Sequence, residues 1–310
     1  MEYSEELENY EDIDLLELIG NNKSTNNKYL IFEGSNNEIY GINVAKVVEV
    51  LVCKDLNSVK NGNSDSIIRA SAKIRDMMAT VICFDEWFGN TILDDNEYEY
   101  ILLAGFGGHT LGIMIKDVDY IISIDTNHMQ DNSQNNPKTN FVANIKLHGE
   151  ERLCTIFDCD KMLLDTFANE ITTKNNTHHL SSTTIQSDKV VLFADDSIFI
   201  RKMVQKLFDK LDLKYEIFIN GQELFERLQV LSPDDIGLII TDLEMPIMDG
   251  QHLIESIASL KEYQDINIIV HTNMSNFITE TSLMKLGVKE VIAKIDMVLL
   301  SEGINKYFSK

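Results

Sequence analysis

The hydrophobic pattern of the chain changes once, and the change separates a front half from a back half. In the front half, short apolar runs such as KYLIFEG (28–34) and EIYGINV (38–44) are separated by turn residues. Further runs of this kind continue to ERLCTIFD (151–158), and an apolar stretch with helical spacing, CDKMLLDTFANEI (159–171), follows. Many short, closely spaced strands predict an all-β domain built as a barrel or sandwich.

The back half begins at KVVLFADD (189–196), and from there strand and helix patterns alternate five times. This alternation predicts a parallel five-stranded sheet with helices on both faces, an α/β domain. Because the crossovers are right-handed, the carboxyl ends of all its strands are expected at one edge of the sheet.

Between the halves lies TTKNNTHHLSSTTIQSD (172–188), which is polar, rich in Ser, Thr and Asn, and without apolar periodicity. These features are typical of a linker. The acidic start of the chain has a weak apolar stripe that predicts a helix over Glu5–Ile19. The predicted organisation is an acidic segment (1–27), a β domain (28–171), a linker (172–188) and an α/β domain (189–310).

Composition and charge restrict the function. The net charge of -23 disfavours binding to nucleic acid or to anionic lipid headgroups. The four cysteines form no CxxC or zinc pattern, so buried thiols in a reducing compartment are expected. The sequence shows no secretory signal and no run of about 20 apolar residues, which predicts a cytoplasmic protein with no direct membrane insertion.

Each of four strands in the back half ends in a chemically useful side chain. The first strand ends at Asp195 and Asp196, the third at Asp242, the fourth at Thr272 and the fifth at Lys294. Crowded carboxylates stay ionised only beside a cation, and oxygen ligands favour Mg²⁺. A strand-end aspartate can attack phosphorus to form an acyl phosphate, with the hydroxyl and the amine holding its oxygens.

A structural alternative exists for each of these residues, because strand-end aspartates often cap helices and a lone lysine is usually a surface charge. The combination of paired acids, a third acid, a hydroxyl and a lysine favours a functional site over these structural roles. Residues 189–310 resemble a two-component receiver domain through LFADDS, IITDLEMPIMDG, VHT and VIAK. The resemblance implies that Asp242 is the phosphoacceptor and that Thr272 and Lys294 contact the phosphoryl oxygens.

The same resemblance implies a magnesium site. Its ligands would be Asp196 directly, Asp195 through water, Asp242, and the backbone carbonyl of Glu244. The sequence departs from the family at two positions near Lys294. Val291 stands where an aromatic switch residue is common, and Ile295 stands where proline is usual.

The front half, from about residue 28 to 170, resembles the CheW-like chemotaxis adaptor fold, a pair of small β-barrels. The resemblance lies in KYLIFEGSNNEIYGINVAKVVEVL, KIRDMMATVICFDEWFG and the apolar runs that follow. Arg75 matches an arginine typical of the family, although Asp76 replaces the usual glycine and Thr80 a common proline. Arg75 is therefore a candidate partner-binding residue, with a solvated strand arginine as the alternative.

In this order the two halves resemble the CheV family of chemotaxis coupling proteins. The resemblance implies that the front domain couples methyl-accepting receptors to the histidine kinase CheA, at receptor arrays in the cytoplasm. CheA would donate its phosphoryl group to Asp242. The protein would then be a regulatory phosphoacceptor and scaffold, with at most self-phosphotransfer and autodephosphorylation.

Three alternatives remain at this stage. The receiver could act as a phosphate sink for CheA. The chain could be a haloacid-dehalogenase-like magnesium phosphohydrolase, although that motif expects an aspartate where Glu244 stands. It could also be a structural scaffold with an inactive receiver.

Overall fold

The computed structural model describes residues 28–308 with short gaps. The segments outside the description are 1–27, 56–57, 61–66, 75–76, 107–108, 126–128, 133–134, 178–184, 186, 274–276, 295 and 309–310. The predicted helix Glu5–Ile19 and the candidate residue Arg75 therefore lie outside the described residues.

The front half forms a β domain with two six-stranded sheets. Its described strands are β1 (Lys28–Glu33), β2 (Ile39–Asn43), β3 (Glu49–Val52), β4 (Ser58–Lys60), β5 (Ile68–Ile74), β6 (Met77–Cys83), β7 (Tyr100–Phe106), β8 (His109–Ile115), β9 (Ile121–Ser123), β10 (Met129–Asp131), β11 (Thr139–Leu147) and β12 (Glu150–Phe157). One sheet has the order β10-β11-β12-β2-β1-β9, and the other has the order β3-β7-β8-β6-β5-β4.

Each sheet of the β domain contains one parallel pair, β12 with β2 and β6 with β8, and its other pairs are antiparallel. Aromatic side chains fill the core of this domain. The Phe84 ring lies 4.8 Å from the ring of Phe32 and 5.1 Å from that of Phe157, in edge-to-face geometry. Such pairs add attraction beyond the burial of apolar area.

Two described helices belong to the front half, α1 (Phe84–Phe88) and α2 (Cys159–Thr177). Helix α2 begins where the apolar pattern predicts it, is kinked at Phe167 (φ -111°, ψ 23°), and continues to Thr177, inside the range predicted as linker. The residues from 172 to 177 include no glycine or proline. Threonine and asparagine are weak helix formers, but a helix that has already formed can extend through them, because each further residue adds a hydrogen bond without a new nucleus. The domain limits themselves stay predictions.

The back half is an α/β domain whose five strands are all parallel. Its strands are β13 (Val190–Ala194), β14 (Lys214–Phe218), β15 (Ile236–Thr241), β16 (Ile268–Thr272) and β17 (Val288–Ala293), in the order β14-β13-β15-β16-β17. Its described helices are α3 (Ile198–Lys210), α4 (Gly221–Leu228), α5 (Gly250–Ser259), α6 (Phe277–Lys285) and α7 (Met297–Tyr307). The predicted fold class, a β domain followed by a parallel five-stranded α/β domain, is confirmed.

Strand β13 shows why the sheet is covered on both faces. Val191 and Phe193 belong to one apolar cluster, whereas Leu192 and Ala194 belong to another. Successive side chains of a strand point to opposite faces, so an unbroken apolar run requires helices on both sides.

The apolar core continues from one domain into the other through helix α2, which packs against α3. Met162 and Leu163 of α2 are fully buried in the same cluster as Ile200 and Val204 of α3.

No helix in the described part of the chain is long and apolar enough to span a bilayer.

The loop after β15 folds back on the end of its own strand. The amide of Gly250 donates to the carbonyl of Leu243 at 3.0 Å, at the start of α5. A Cβ atom at Gly250 would come within 1.9 Å of the Asp242 carbonyl oxygen. Only glycine permits this approach, which sets the geometry of the loop that follows Asp242.

We expect Gly250→Ala to reduce the free energy of unfolding by about 2 kcal/mol or more, because the added methyl group displaces the backbone of the loop. Urea denaturation followed by the helical circular dichroism signal measures this loss. Gly105→Ala is the matched control, since its Cβ would meet only Val48, at an ordinary contact distance of 3.6 Å. Equal effects of the two substitutions would contradict the role assigned to Gly250.

Candidate functional site

Asp242 lies directly after β15, at the carboxyl edge of the parallel sheet. Its amide donates to the carbonyl of Ala194 at 2.9 Å, and its Oδ1 accepts from the amide of Leu243 at 2.7 Å. The side chain is fully buried, with 0% of its surface exposed. The backbone therefore holds the carboxylate at one position on the edge of the sheet.

Lys294 is the centre of the site. Its Nζ lies 2.8 Å from Asp242 Oδ2, 3.2 Å from Asp195 Oδ2 and 3.0 Å from Asp160 Oδ2. The lysine follows β17, and its amide donates to the carbonyl of Thr272 at 3.1 Å. Three of the four strand ends named by the sequence analysis thus meet at one ammonium group, while Asp160 is an addition from the other domain.

The acid pair after β13, Asp195 and Asp196, lies in the same pocket. Asp195 Oδ1 accepts from the amide of Ser197 at 2.9 Å, and the carbonyl of Asp195 accepts from the Arg201 guanidinium at 2.7 Å. Ser197 in turn begins α3, with its Oγ accepting from the amide of Ile200 at 3.2 Å. These bonds fix the orientation of Asp195.

Residues of the β domain cover this pocket. Lys46 Nζ lies 3.6 Å from Asp196 Oδ2 and 3.9 Å from Asp160 Oδ2. Asn140 Nδ2 donates to Asp196 Oδ2 at 3.4 Å. The exposed fractions of Lys46 and Asn140 are only 6% and 2%.

The junction between β12 and α2 supplies two more acids. Asp158 Oδ2 accepts from Ser197 Oγ at 2.8 Å, and Asp160 Oδ1 accepts from Asn273 Nδ2 at 2.6 Å. Both carboxylates are buried. The candidate site is therefore shared by the two domains.

The electrostatics of the site reflect the crowding of acids around two cations. Burial disfavours the ionised form of Asp160, but Lys294 and Lys46 outweigh burial and hold its pKa below the usual value. Burial raises the pKa of Asp242, an effect that Lys294 opposes. Burial also raises the pKa of Asp195 well above its usual range.

The same crowding of acids raises the pKa values of the two lysines. Burial alone would lower the pKa of Lys294, but Asp160 and the neighbouring acids raise it well above its usual value. Lys46 behaves in the same way, with Asp196 and Asp160 raising its pKa. Both side chains are therefore ammonium cations at neutral pH.

The donor set of the pocket fits a hard divalent cation. Carboxylate oxygens of Asp160, Asp195 and Asp196 lie within 4.8 Å of one another. Asp196 Oδ1 and Glu244 Oε1 are buried and accept no hydrogen bond from the described residues. Oxygen-only ligands with unsatisfied lone pairs suit Mg²⁺.

The remaining candidates have different positions. Thr272 is fully buried at the end of β16. Glu244 lies two positions after Asp242 in the sequence. Its side chain is half-buried, and burial raises its pKa to about 8. Val291 lies in β17 and is partly buried against the apolar core, and Arg75 lies outside the described residues.

Sequence reasoning did not find Lys46, Asn140, Asp158 or Asp160. Two signals for them existed. Lys46 is a charge inside the apolar run INVAKVV, and FDCDK places two acids around a buried Cys159 where a strand passes into a helix. A buried charge requires a partner, but neither signal indicates which domain supplies it.

Comparisons with known proteins match a family to each half of the chain. Residues 28–167 match the CheW-like domain family, and residues 191–304 match the response regulator receiver domain family. The scaffolding protein TtCheW from Thermoanaerobacter tengcongensis is similar in structure, with a TM-score of 0.37 and 20% identity, over 43% of this chain and 88% of that one.

Curated relatives share both domains of the chain along most of their length. Chemotaxis protein CheV1 of Helicobacter pylori is 29% identical over 278 residues, 84% of this chain and 86% of the relative. Chemotaxis protein CheV2 of the same organism is 23% identical over 88% of this chain and 90% of the relative. With a CheW-like domain followed by a receiver domain, the chain has the domain organisation of the CheV-like chemotaxis coupling proteins.

Proposed function

We propose that this protein couples methyl-accepting chemotaxis receptors to the histidine kinase CheA through its CheW-like domain, and that phosphorylation of Asp242 regulates the coupling. The protein acts in the cytoplasm at receptor arrays. It is a phosphoacceptor and scaffold and not a classical enzyme. Its similarity to the CheV proteins along most of the chain supports this role.

One observation carries the phosphoacceptor assignment. Asp242 Oδ2 lies 2.8 Å from Lys294 Nζ at the carboxyl edge of a parallel sheet, where open α/β domains place their ligands. Burial raises the pKa of Asp242, and the ammonium group opposes this effect, so that Lys294 favours the ionised, nucleophilic form.

The transfer step follows from this geometry. A carboxylate oxygen of Asp242 attacks the phosphorus atom of a phosphohistidine on CheA, an O–P bond forms, the P–N bond breaks, and the imidazole takes up a proton. Lys294 neutralises charge on the phosphoryl oxygens, and Thr272 offers a hydroxyl to one of them.

Residues of the pocket would also hold Mg²⁺, with Asp195, Asp196, Asp242 and the backbone carbonyl of Glu244 as its ligands. Bound there, the ion neutralises charge on the transferring phosphoryl group. The amide of Ser197, within the same domain, already holds the side chain of Asp195 in the pocket.

Phosphorylation adds a charge of about -1.5 to -2 at the sheet edge, and Thr272 and Lys294 move toward it. This movement biases the surface between α6 and β17. Because Val291 stands on β17 where an aromatic residue is common in receivers, the change of this surface does not depend on an aromatic side chain at that position.

We expect Asp242→Asn to abolish phosphoryl uptake from radiolabelled phospho-CheA in Mg²⁺, while binding to receptors and to CheA is retained. The amide of asparagine is not a nucleophile for phosphorus. Asp212→Asn is the matched control, because Asp212 is an exposed aspartate of the same domain with a positive φ of 56°, which asparagine also tolerates.

If the Asp242→Asn variant still takes up radiolabel, the acceptor assignment is wrong. Rapid turnover of small phosphate esters by the wild type would instead support a phosphohydrolase. A phosphate sink would show uptake at Asp242 with no change in receptor-dependent kinase activity. Failure to take up label or to bind Mg²⁺ would identify a scaffold with an inactive receiver.

We expect Mg²⁺ to raise the melting temperature of the wild type, because binding to the folded state at 100 times the dissociation constant adds about 2.7 kcal/mol of stability. Asp196→Asn removes a ligand and should reduce both the shift and the affinity measured by titration calorimetry. Glu151→Gln, an exposed carboxylate on β12, should behave as the wild type. Equal affinities of wild type and Asp196→Asn would contradict the ligand assignment.

A further inference from the structure

The phosphoacceptor pocket is closed in this structure. The exposed fractions of Asp242, Asp195 and Lys294 are 0%, 0% and 3%. A phosphohistidine on another protein has to reach Asp242 directly, so a donor cannot react while the pocket is covered. What covers it is the adaptor domain of the same chain, through Lys46 and Asp160.

Asp160 binds Lys294, the cation that a phosphoryl group on Asp242 would also require. Its Oδ2 lies 3.0 Å from Lys294 Nζ, and its Oδ1 accepts from Asn273 Nδ2 at 2.6 Å. Lys294 is the same ammonium that contacts Asp242 at 2.8 Å. A phosphoryl group on Asp242 would place a second anion beside Asp160 at one cation, and the two anions would repel each other.

Contacts around Asp160 show that the closure is a built interface. Asp158 accepts from Ser197 Oγ at 2.8 Å at the start of α3, and Asn140 donates to Asp196 at 3.4 Å. Apolar side chains extend the contact, because the α2 and α3 helices share one core cluster. Lys161 of α2 also lies over the ring of Phe199 in α3, at 5.7 Å from its centroid.

We propose that the adaptor domain closes the receiver by inserting Asp160 and Lys46 over the phosphoacceptor pocket, and that phosphorylation of Asp242 and this docking exclude each other. The inference rests on the proposed role of Asp242 as the acceptor. In the closed state Asp160 takes the place of a phosphoryl group as the counter-ion of Lys294. Phosphorylation releases the adaptor domain, and undocking in turn admits the donor.

The test uses the full-length chain with acetyl phosphate and Mg²⁺, because a small phosphodonor separates access to the pocket from docking of the kinase. Asp160→Asn keeps the size of the side chain but removes its charge. We expect it to acquire the phosphoryl group about tenfold faster than the wild type, the effect expected for losing a hydrogen bond to a charged group. Intact-protein mass spectrometry measures the rate.

Matched variants separate this effect from general damage. Glu151→Gln makes the same carboxylate-to-amide change at an exposed position of β12 and should leave the wild-type rate unchanged. Lys46→Met weakens the same interface from a different element, so it tests the inference even if Asp160→Asn folds poorly. It should also accelerate uptake.

A second readout measures docking itself. Beryllofluoride with Mg²⁺ mimics the phosphoryl group on an aspartate, and small-angle X-ray scattering reports the separation of the domains. We expect it to increase the radius of gyration of the wild type, with no change in Asp242→Asn. Asp160→Asn should have the larger radius without beryllofluoride.

The outcomes are distinguishable. If Asp242 is phosphorylated but Asp160→Asn acquires the phosphoryl group at the wild-type rate, the closure is wrong and the acceptor role stands. The same conclusion follows if beryllofluoride leaves the radius of gyration of the wild type unchanged. A slower rate in Asp160→Asn overturns the inference in favour of Asp160 as a ligand that assists transfer. Absence of label from every variant removes the acceptor role, and the closure mechanism falls with it.

Discussion

The sharing of one buried ammonium group by acids from two domains is the interaction on which this structure depends. Lys294 contacts Asp160, Asp195 and Asp242, which come from three separate segments of the chain. Burying a carboxylate without compensation costs several kcal/mol, so each of these acids requires a cation nearby. Lys294 and Lys46 together supply two positive charges to four aspartates, which are Asp160, Asp195, Asp196 and Asp242.

The remaining negative charge explains the behaviour of the site. Four carboxylates facing two ammonium groups leave a deficit that a divalent cation would offset, whereas without an ion the raised pKa values of Asp195 and Asp242 relieve the repulsion. Asp160 and Lys46 enter the pocket as a pair of opposite charges, so this pair hardly changes the net charge there. Asp158 enters with them, accepts from Ser197 Oγ, and has its pKa raised by burial to about 6. A phosphoryl group, in contrast, adds negative charge with no cation of its own.

Much of the back domain could be predicted from sequence because its information is local. An apolar run such as VVLF buries both faces of β13, and the helical spacing after it sets α3. Once the sheet is parallel, its connectivity alone brings the ends of β13, β15 and β17 to one edge. The convergence of Asp195, Asp242 and Lys294 follows from that topology and requires no knowledge of side-chain packing.

The covering of the pocket could not be predicted in this way. The contact of Lys294 with Asp160 joins residues 134 positions apart, and no periodic pattern encodes which face of one domain meets another. The polar stretch after Ile171 also concealed the real length of α2, because polar composition resembles a linker even where the backbone stays helical. Local pattern determines elements, whereas docking depends on complementarity between surfaces that are distant in sequence.

Tethering determines how strong the interface between the domains has to be. At an effective concentration of about 1 mM between tethered domains, an intrinsic dissociation constant of about 0.1 mM keeps about nine chains in ten closed. If a phosphoryl group weakens docking by about a hundredfold, the ratio reverses and about nine chains in ten are open. The coupling is reciprocal, so a partner that binds the undocked adaptor face increases access to Asp242 by the same factor by which phosphorylation increases binding of that partner. A weak interface centred on Lys294 is therefore sufficient to link the two domains of this protein.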